Sequence, residues 1–160
     1  MKLHILAIGR LRAGPELALF DDYLKRARGL GRSCGLTDIA ARDFPESRLP
    51  DARSRMAAEA ALLAGVISDP SMRIVLDERG RMLSSGDFAL VLRRHLGQGA
   101  SSLAFLIGGP DGHAPEMRRD AGLLLSFGPM TWPHRLARVM LAEQIYRAVT
   151  ILVKHPYHRG

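Results

Sequence analysis

The sequence predicts a single α/β domain, residues 1–160, built on a mostly parallel β-sheet. Short apolar segments of strand length alternate with longer amphipathic segments along the whole chain, which is the pattern of β-α-β units. The chain has 160 residues and 47% of them are hydrophobic, so one proper core can form. No internal repeat, low-complexity tract or linker divides the chain.

Five apolar segments have the composition of buried strands. They are residues 2–8, 36–40, 72–77, 103–107 and 123–127. These segments are rich in Leu, Ile, Val or Phe, and most end at glycine or at polar residues. We predict that residues 42–50 form a loop, and that residues 78–81 turn the chain after the third strand.

Five further segments predict helices. They are residues 16–28, 51–64, 84–96, a short helix that begins at Pro115, and residues 134–154. Asp51 is a candidate N-cap of the second helix, and Ser84 or Ser85 of the third. The last helix is apolar around most of its circumference, so it must be buried nearly all round. We therefore expect a second copy of the chain to cover it in a homodimer.

Charge and composition limit the function classes. Lys and Arg total 23 against 16 acidic residues, a formal net charge of +7, which makes the chain a candidate nucleic-acid binder; an Arg-rich composition without such a role is the alternative. No apolar run spans a membrane and the N-terminus lacks a signal-peptide layout, so we expect a cytoplasmic protein. One Cys and six scattered His predict no metal site.

The most informative motif is the end of the fourth strand. An apolar run stops at Gly108-Gly109, and Pro110-Asp111-Gly112 is turn chemistry. Open α/β sheets bind ligands at the carboxyl ends of their strands, so this turn is a candidate site. The motif has neither the Walker nor the dinucleotide spacing, and a plain tight connection is the alternative.

Three more segments could carry chemistry. Residues 127–133 form a loop whose free amides and carbonyls could bind the edge of an adenine; an ordinary loop with core aromatics is the alternative. His134, Arg135 and Arg138 place positive charge at a helix N-terminus, which opposes the macrodipole and favours an anion nearby; a solvated face is the alternative. The tail, residues 154–160, mixes cations with rings that can stack on RNA bases.

Taken together, these segments resemble the RlmH family, the small SPOUT-class methyltransferases of the bacterial large ribosomal subunit. The resemblance is carried by LAFLIGGPDG, SFGPMTWPHRLARVMLAEQIYRA and HPYHRG, and also by MKLHILAIGRLR and VLDERGRMLSS. Residues 29–70 match only in pattern. The family has a C-terminal trefoil knot, an exception to the rule that chains are unknotted. It implies a homodimer that transfers a methyl group from S-adenosylmethionine, without a metal, to N3 of a pseudouridine in 23S rRNA of the assembled ribosome.

The resemblance also assigns residues by motif position. Those implied to bind S-adenosylmethionine are Leu76, Gly108, Phe127, Gly128, Pro129, Met130, Thr131 and Trp132. Those implied on the side of the target nucleotide are His134, Tyr157, His158 and Arg159. We expect Arg159 to hold phosphate or base, and a His to help remove the N3 proton.

Departures from the family pattern are minor. Asp111 stands where many members carry Glu, and Arg135 where smaller or apolar residues are usual. Two other functions stay open: a knotted tRNA methyltransferase, which the absence of an added RNA-binding domain disfavours, and a catalytically silent RNA-binding module.

Overall fold

The computed structural model describes residues 1–67, 69 and 72–158. Its strands are β1 (Lys2–Ile8), β2 (Asp38–Phe44), β3 (Arg73–Met82), β4 (Ser102–Ile107) and β5 (Leu123–Ser126). Its helices are α1 (Pro15–Gly31), α2 (Ala52–Ala64), α3 (Ser85–Gly97), α4 (Pro115–Arg119) and α5 (His134–Leu152), and a 3₁₀ turn (Arg32–Cys34) follows α1.

The strands form one sheet in the order β2-β1-β4-β3-β5, and every neighbouring pair is parallel. The predicted α/β class with a parallel sheet is therefore confirmed. The trefoil knot stays a prediction of the resemblance, because strand order and register do not describe how the chain is threaded. In the described part of the chain, no helix is long and apolar enough to cross a membrane.

Helices cover both faces of the sheet. Strand alternation in β4 sends Leu103 and Phe105 to one face, where residues of α1, α3 and α5 pack, and Phe105 contacts Phe88 with ring centroids 5.5 Å apart. The intervening Ala104 and Leu106 face α2 and α4. All four of these β4 side chains are fully buried, as expected of a central parallel strand.

The predicted turn at residues 78–81 is wrong, because β3 continues through them to Met82. Strand β3 pairs with β5 on both sides of an irregularity, where Leu76 and then Arg81 are each registered with Leu125. A Cβ added to Gly80 would lie only 2.5 Å from the carbonyl carbon of Leu125. Glycine at this position therefore permits two backbones to approach closely, and it does not turn the chain.

Two other boundaries differ from the prediction. The predicted loop at residues 42–50 begins too early, because β2 continues to Phe44, which is registered with Ile8 of β1. Its polar side chains are tolerated because β2 is an edge strand with one open side. Helix α1 runs past Gly29 to Gly31. The caps agree with prediction, since the side chain of Asp51 accepts the Ser54 N–H and that of Ser84 accepts the Asp87 N–H.

Helix α5 is buried on most sides, as predicted, but the same chain supplies the cover. It lies against α1 and α3, and its residues Leu141, Ala142 and Ile145 are fully buried. Leu136, with 43% of its surface exposed, lies outside this cover. The apolar circumference of α5 is thus no argument for a second subunit, and the homodimer stays a prediction.

Candidate functional site

Two loops that were separate in the sequence line one cavity at the carboxyl edge of the sheet. The turn after β4, residues 108–112, and the loop after β5, residues 127–132, enclose a space of about 340 Å³ together with Leu76 of β3. The cavity forms because β3 lies between β4 and β5, and the parallel register places Leu76 beside Ile107, the last residue of β4, and beside Leu125 near the end of β5. We call this space the glycine-turn cavity.

The turn after β4 is tight, and it has no room for a side chain at Gly108 or Gly109. The Gly112 N–H donates to the Gly109 carbonyl at 2.9 Å, and Gly112 has a φ of +81°. A Cβ on Gly108 would lie 2.9 Å from the carbonyl carbon of Gly112, and one on Gly109 would lie 2.9 Å from Oε2 of Glu59. Bare backbone therefore faces the cavity here, which suits a ligand that approaches closely.

Arg55 of α2 holds the tip of this turn. Its guanidinium donates to both carboxylate oxygens of Asp111, at 2.7 and 3.1 Å, and to the carbonyls of Leu49 and Pro50 at 3.0 Å each. The hydrogen bond from Arg55 lowers the pKa of Asp111. The same guanidinium thus fixes the turn and the loop that follows β2.

His113 brings a buried imidazole to the wall of the cavity. Only 4% of its surface is exposed, and its Nε2 has no hydrogen-bond partner among the described residues. Burial lowers the pKa of His113 to about 4, so the ring is neutral at neutral pH. Arg118 donates to the His113 carbonyl at 2.9 Å and lies 3.7 Å from the carboxylate of Asp77.

The loop after β5 presents large apolar side chains at the cavity. Met130 is 70% exposed and Trp132 is 40% exposed, although both line the cavity. The indole N–H of Trp132 donates to the Phe127 carbonyl at 3.4 Å, and Gly128 has a φ of +107°. Met130 and Trp132 are not core residues, so the alternative of an ordinary loop with core aromatics does not describe them.

Most of the predicted donor-binding residues lie together in this cavity. Its lining includes Leu76, Gly108, Phe127, Gly128, Met130, Thr131 and Trp132. Pro129 does not line it. Because the cavity holds backbone amides, backbone carbonyls and open apolar surface together, it has the make-up of a small-molecule site. That these residues bind a methyl donor stays a prediction.

The predicted residues on the target-nucleotide side do not come together within one chain. His134, the first residue of α5, lines the glycine-turn cavity. The Tyr157 hydroxyl instead donates to Glu143 at 3.2 Å. Glu143 follows His134 by nine residues, so the Cα atoms of these two residues lie about 13 Å apart along the axis of α5. Burial raises the pKa of Tyr157 to about 12. His158 is half-buried, and Arg159 lies outside the described residues.

The cations at the start of α5 have two different roles. Arg138 meets an anion, as predicted, and the anion belongs to the same chain: Arg138 is buried and donates to Asp43 at 2.8 Å and to the carbonyls of Ile8 and Gly9. This internal carboxylate, from a strand far away in sequence, neutralises the cation. Arg135 is exposed, and its side chain has no hydrogen bond or ion pair to any described residue.

Comparison with known proteins shows the family of this chain. Residues 1–158 match the family model described as a predicted SPOUT methyltransferase. The chain belongs to the SPOUT methyltransferase family. It is 49% identical over 160 residues to the ribosomal RNA large subunit methyltransferase H of Bradyrhizobium diazoefficiens, and likewise to that of Rhodopseudomonas palustris, with all of each protein covered. The predicted resemblance to the RlmH family is confirmed.

A solved structure supports the fold of this SPOUT family member. A probable methyltransferase from Bordetella pertussis aligns with a TM-score of 0.50 at 14% identity, over 92% of this chain and 95% of the other. At this identity the likeness shows the fold alone.

Sequence reasoning missed three polar residues of this SPOUT site. His113, Asp77 and Arg118 all line the glycine-turn cavity. Asp77 and His113 do carry a positional signal, since one lies near the predicted carboxyl end of the third strand and the other directly follows the glycine turn. Arg118 has no such signal, because only the packing of α4 against β3 brings it to the cavity.

Proposed function

We propose that this SPOUT methyltransferase acts on ribosomal RNA of the large subunit in the bacterial cytoplasm. Its reaction is transfer of a methyl group from S-adenosylmethionine to N3 of a pseudouridine in 23S rRNA on the assembled ribosome. The observation that carries the proposal is the glycine-turn cavity, where the two loops implied to bind the donor meet at one edge of the sheet. Relatives 49% identical, named as large-subunit rRNA methyltransferases, favour rRNA over tRNA.

The cavity residues fit S-adenosylmethionine. Gly108 offers bare backbone, the 127–132 loop offers amides and carbonyls, and Met130 with Trp132 offers apolar surface for an adenine ring. The unpartnered Nε2 of His113 gives one more polar contact at the wall. When bound, S-adenosylmethionine supplies an electrophilic methyl group on a sulfonium cation. Among the described residues, no group of His, Cys, Asp or Glu is arranged to hold a metal ion.

His134 is the residue of this chain placed to act on the acceptor. It lines the cavity from the first turn of α5, beside the donor loop. Methylation of N3 requires the loss of the imide proton, which a positioned imidazole or a water molecule can accept. The remaining task of the site is alignment of donor and acceptor, which can supply much of a transfer rate.

A second copy of the chain would complete the site. An apolar cleft of about 450 Å³ adjoins the glycine-turn cavity and shares Phe127 and Gly128 with it. Its rim includes Leu19, 45% exposed, and Met82, 71% exposed, and exposed apolar surface of this kind marks interaction sites. In this homodimer, Tyr157, His158 and Arg159 of one subunit serve the donor cavity of the other.

The reaction is tested with tritiated S-adenosylmethionine and RNA from a bacterial strain that lacks the enzyme. We expect labelled 3-methylpseudouridine in nucleoside digests of intact ribosomes, and no label in bulk tRNA. Label in tRNA would favour the knotted tRNA methyltransferase. Donor binding without any labelled RNA would favour a catalytically silent RNA-binding module.

The shared site is tested by mixing two inactive variants. One carries Gly108→Trp, which blocks the glycine turn, and the other lacks residues 157–160. If the tail acts across the dimer, an equal mixture regains about a quarter of the wild-type sites, because half of randomly formed dimers are mixed and each has one intact site. No recovery, with mixed dimers shown by mass spectrometry, would place the tail and the cavity in the same subunit.

A further inference from the structure

A second cavity, rich in arginine, adjoins the first. The loops after β1 and β2 and the first turns of α5 enclose a space of about 680 Å³. Four exposed arginines line it: Arg10, Arg12, Arg48 and Arg135. We call this space the arginine groove. His134 lines both the arginine groove and the glycine-turn cavity, so the two are continuous at that residue.

The charge in the groove is not balanced by the protein. None of the four arginine side chains has a hydrogen bond or ion pair to another described residue. Of the two carboxylates nearby, Asp43 is bonded to Arg138 and to the Leu11 N–H, which leaves Glu46 as the acidic side chain of the lining. Four guanidinium groups around one concave surface repel one another, and a polyanion relieves that repulsion. Their planar forks match phosphate oxygens.

Internal hydrogen bonds hold the loops that carry these arginines. The Leu11 N–H donates to Asp43 at 2.9 Å, and the Gly9 N–H donates to the Phe44 carbonyl at 2.8 Å. On the other wall, the Ser47 N–H donates to buried Glu59 at 2.8 Å. The arginines therefore extend from pre-ordered backbone, which lowers the entropy lost on binding.

The groove and the donor turn share two supports. Glu59 binds the groove loop through Oε1, and its Oε2 lies where a Cβ on Gly109 would meet it. Arg55 likewise bonds Leu49 and Pro50 beside the groove and Asp111 in the turn. The position of the groove relative to the glycine-turn cavity is thus fixed by α2.

We propose that the arginine groove binds the phosphodiester backbone of the RNA substrate next to the target nucleotide. The inference rests on the proposed function and adds the path of the RNA strand. A strand lying along Arg48, Arg10 and Arg135 passes His134 and delivers its next base to the glycine-turn cavity. The contacts are to phosphate, so they position the strand without reading its sequence.

The test measures how RNA affinity depends on salt. Two double variants, Arg10→Gln with Arg12→Gln and Arg48→Gln with Arg135→Gln, are compared with wild type on intact ribosomes and on deproteinised 23S rRNA. Each lost phosphate contact lowers the slope of log affinity against log salt by about 0.7 for single strands, so each double variant should lose about 1.4. Wild-type affinity then falls about sevenfold more than that of either variant between about 50 and about 200 mM KCl.

A matched control removes the same charge elsewhere. Arg93 and Arg94 are exposed near the end of α3, where Leu96 lies beside Gly35, at the opposite edge of the sheet. Arg93→Gln with Arg94→Gln should keep the wild-type salt slope, and all three double variants should keep wild-type affinity for S-adenosylmethionine.

Two results would overturn the proposal. One is an equal salt slope for the groove and control variants. The other is a loss of affinity for intact ribosomes but not for deproteinised 23S rRNA, which would assign the groove to a ribosomal protein. Both results are measurements of RNA binding, whereas the proposed function is tested by RNA methylation with the wild-type protein. A failure of the groove proposal can therefore be distinguished from a failure of the proposed function.

Discussion

Replacing Gly108 by alanine tests the link between the glycine turn and donor binding. The new Cβ would lie 2.9 Å and 3.0 Å from the carbonyl carbon and oxygen of Gly112, and 3.1 Å from Cδ2 of His113. Two of these atoms are backbone in a turn closed by its own hydrogen bond, so they cannot move aside independently. Overpacking of this kind costs about 1–3 kcal/mol, and we expect the free energy of unfolding to fall by that amount.

Donor affinity should fall in the same variant. A turn displaced by several tenths of an ångström weakens the backbone contacts that the donor makes with it, and one neutral hydrogen bond contributes about 1 kcal/mol, or about fivefold in affinity. Isothermal titration with S-adenosylmethionine should therefore show a dissociation constant at least about fivefold higher. Urea unfolding, followed by circular dichroism, gives the accompanying loss of stability.

Gly29→Ala is the matched control, because it adds the same methyl group without a contact. No described atom lies within 4 Å of its Cβ position, and Gly29 lies inside α1, where alanine stabilises a helix by up to about 1 kcal/mol. We expect unchanged donor affinity and equal or higher stability. If Gly108→Ala were destabilised yet bound the donor as tightly as wild type, the turn would be a structural connection only, and our reasoning would be refuted.

Three further substitutions test other parts of the account. His113→Leu should reduce the dependence of the unfolding free energy on pH. The pKa of His113 in the folded state, about 4, lies below the ordinary 6.5, so the wild type loses up to about 3 kcal/mol of unfolding free energy between pH 7 and pH 4. An equal loss in the variant, measured by urea titration at both pH values, would contradict this. Gly80→Ala should cost about 3 kcal/mol or more in urea unfolding because its Cβ would meet the backbone of Leu125, whereas Gly97→Ala, with no described atom within 4 Å, should cost much less. Arg138→Met should lower the unfolding free energy by about 2 kcal/mol, since its internal acceptors lose a charged donor, and an unchanged urea midpoint would argue against the internal network.

The local hydrophobic pattern of the sequence correctly predicted strands and helices whose residues all lie in the same surroundings. Strand β4 is apolar throughout because both faces are covered, and its predicted extent differs from the structure by one residue. Strand β3 was cut short because Gly80 and its charged neighbours have the composition of a turn. The actual reason for that glycine is the backbone of β5, more than 40 residues later in the sequence. The hydrophobic period and the composition of a segment carry no information on contacts with backbone that is distant in the sequence.

The site shows the same division between local and distant causes. The turn at residues 108–112 and the loop at residues 127–133 were identified as candidates because each follows an apolar strand, whereas the resemblance to a known family assigned their residues to one donor site. The strand order brings the two loops to one cavity. His113 was missed because its burial and low pKa depend on the surrounding fold. The anion that Arg138 meets was not identified from the sequence because this partner, Asp43, lies 95 residues away. A sequence shows which charges exist but not which of them are already paired.

Amide hydrogen exchange with and without S-adenosylmethionine tests whether the two loops at the carboxyl edge of the sheet form one donor site. We expect the donor to slow exchange in residues 108–113 and 127–132 together, at the same concentration. Donor binding that protects only one of the two loops, or neither, would contradict it.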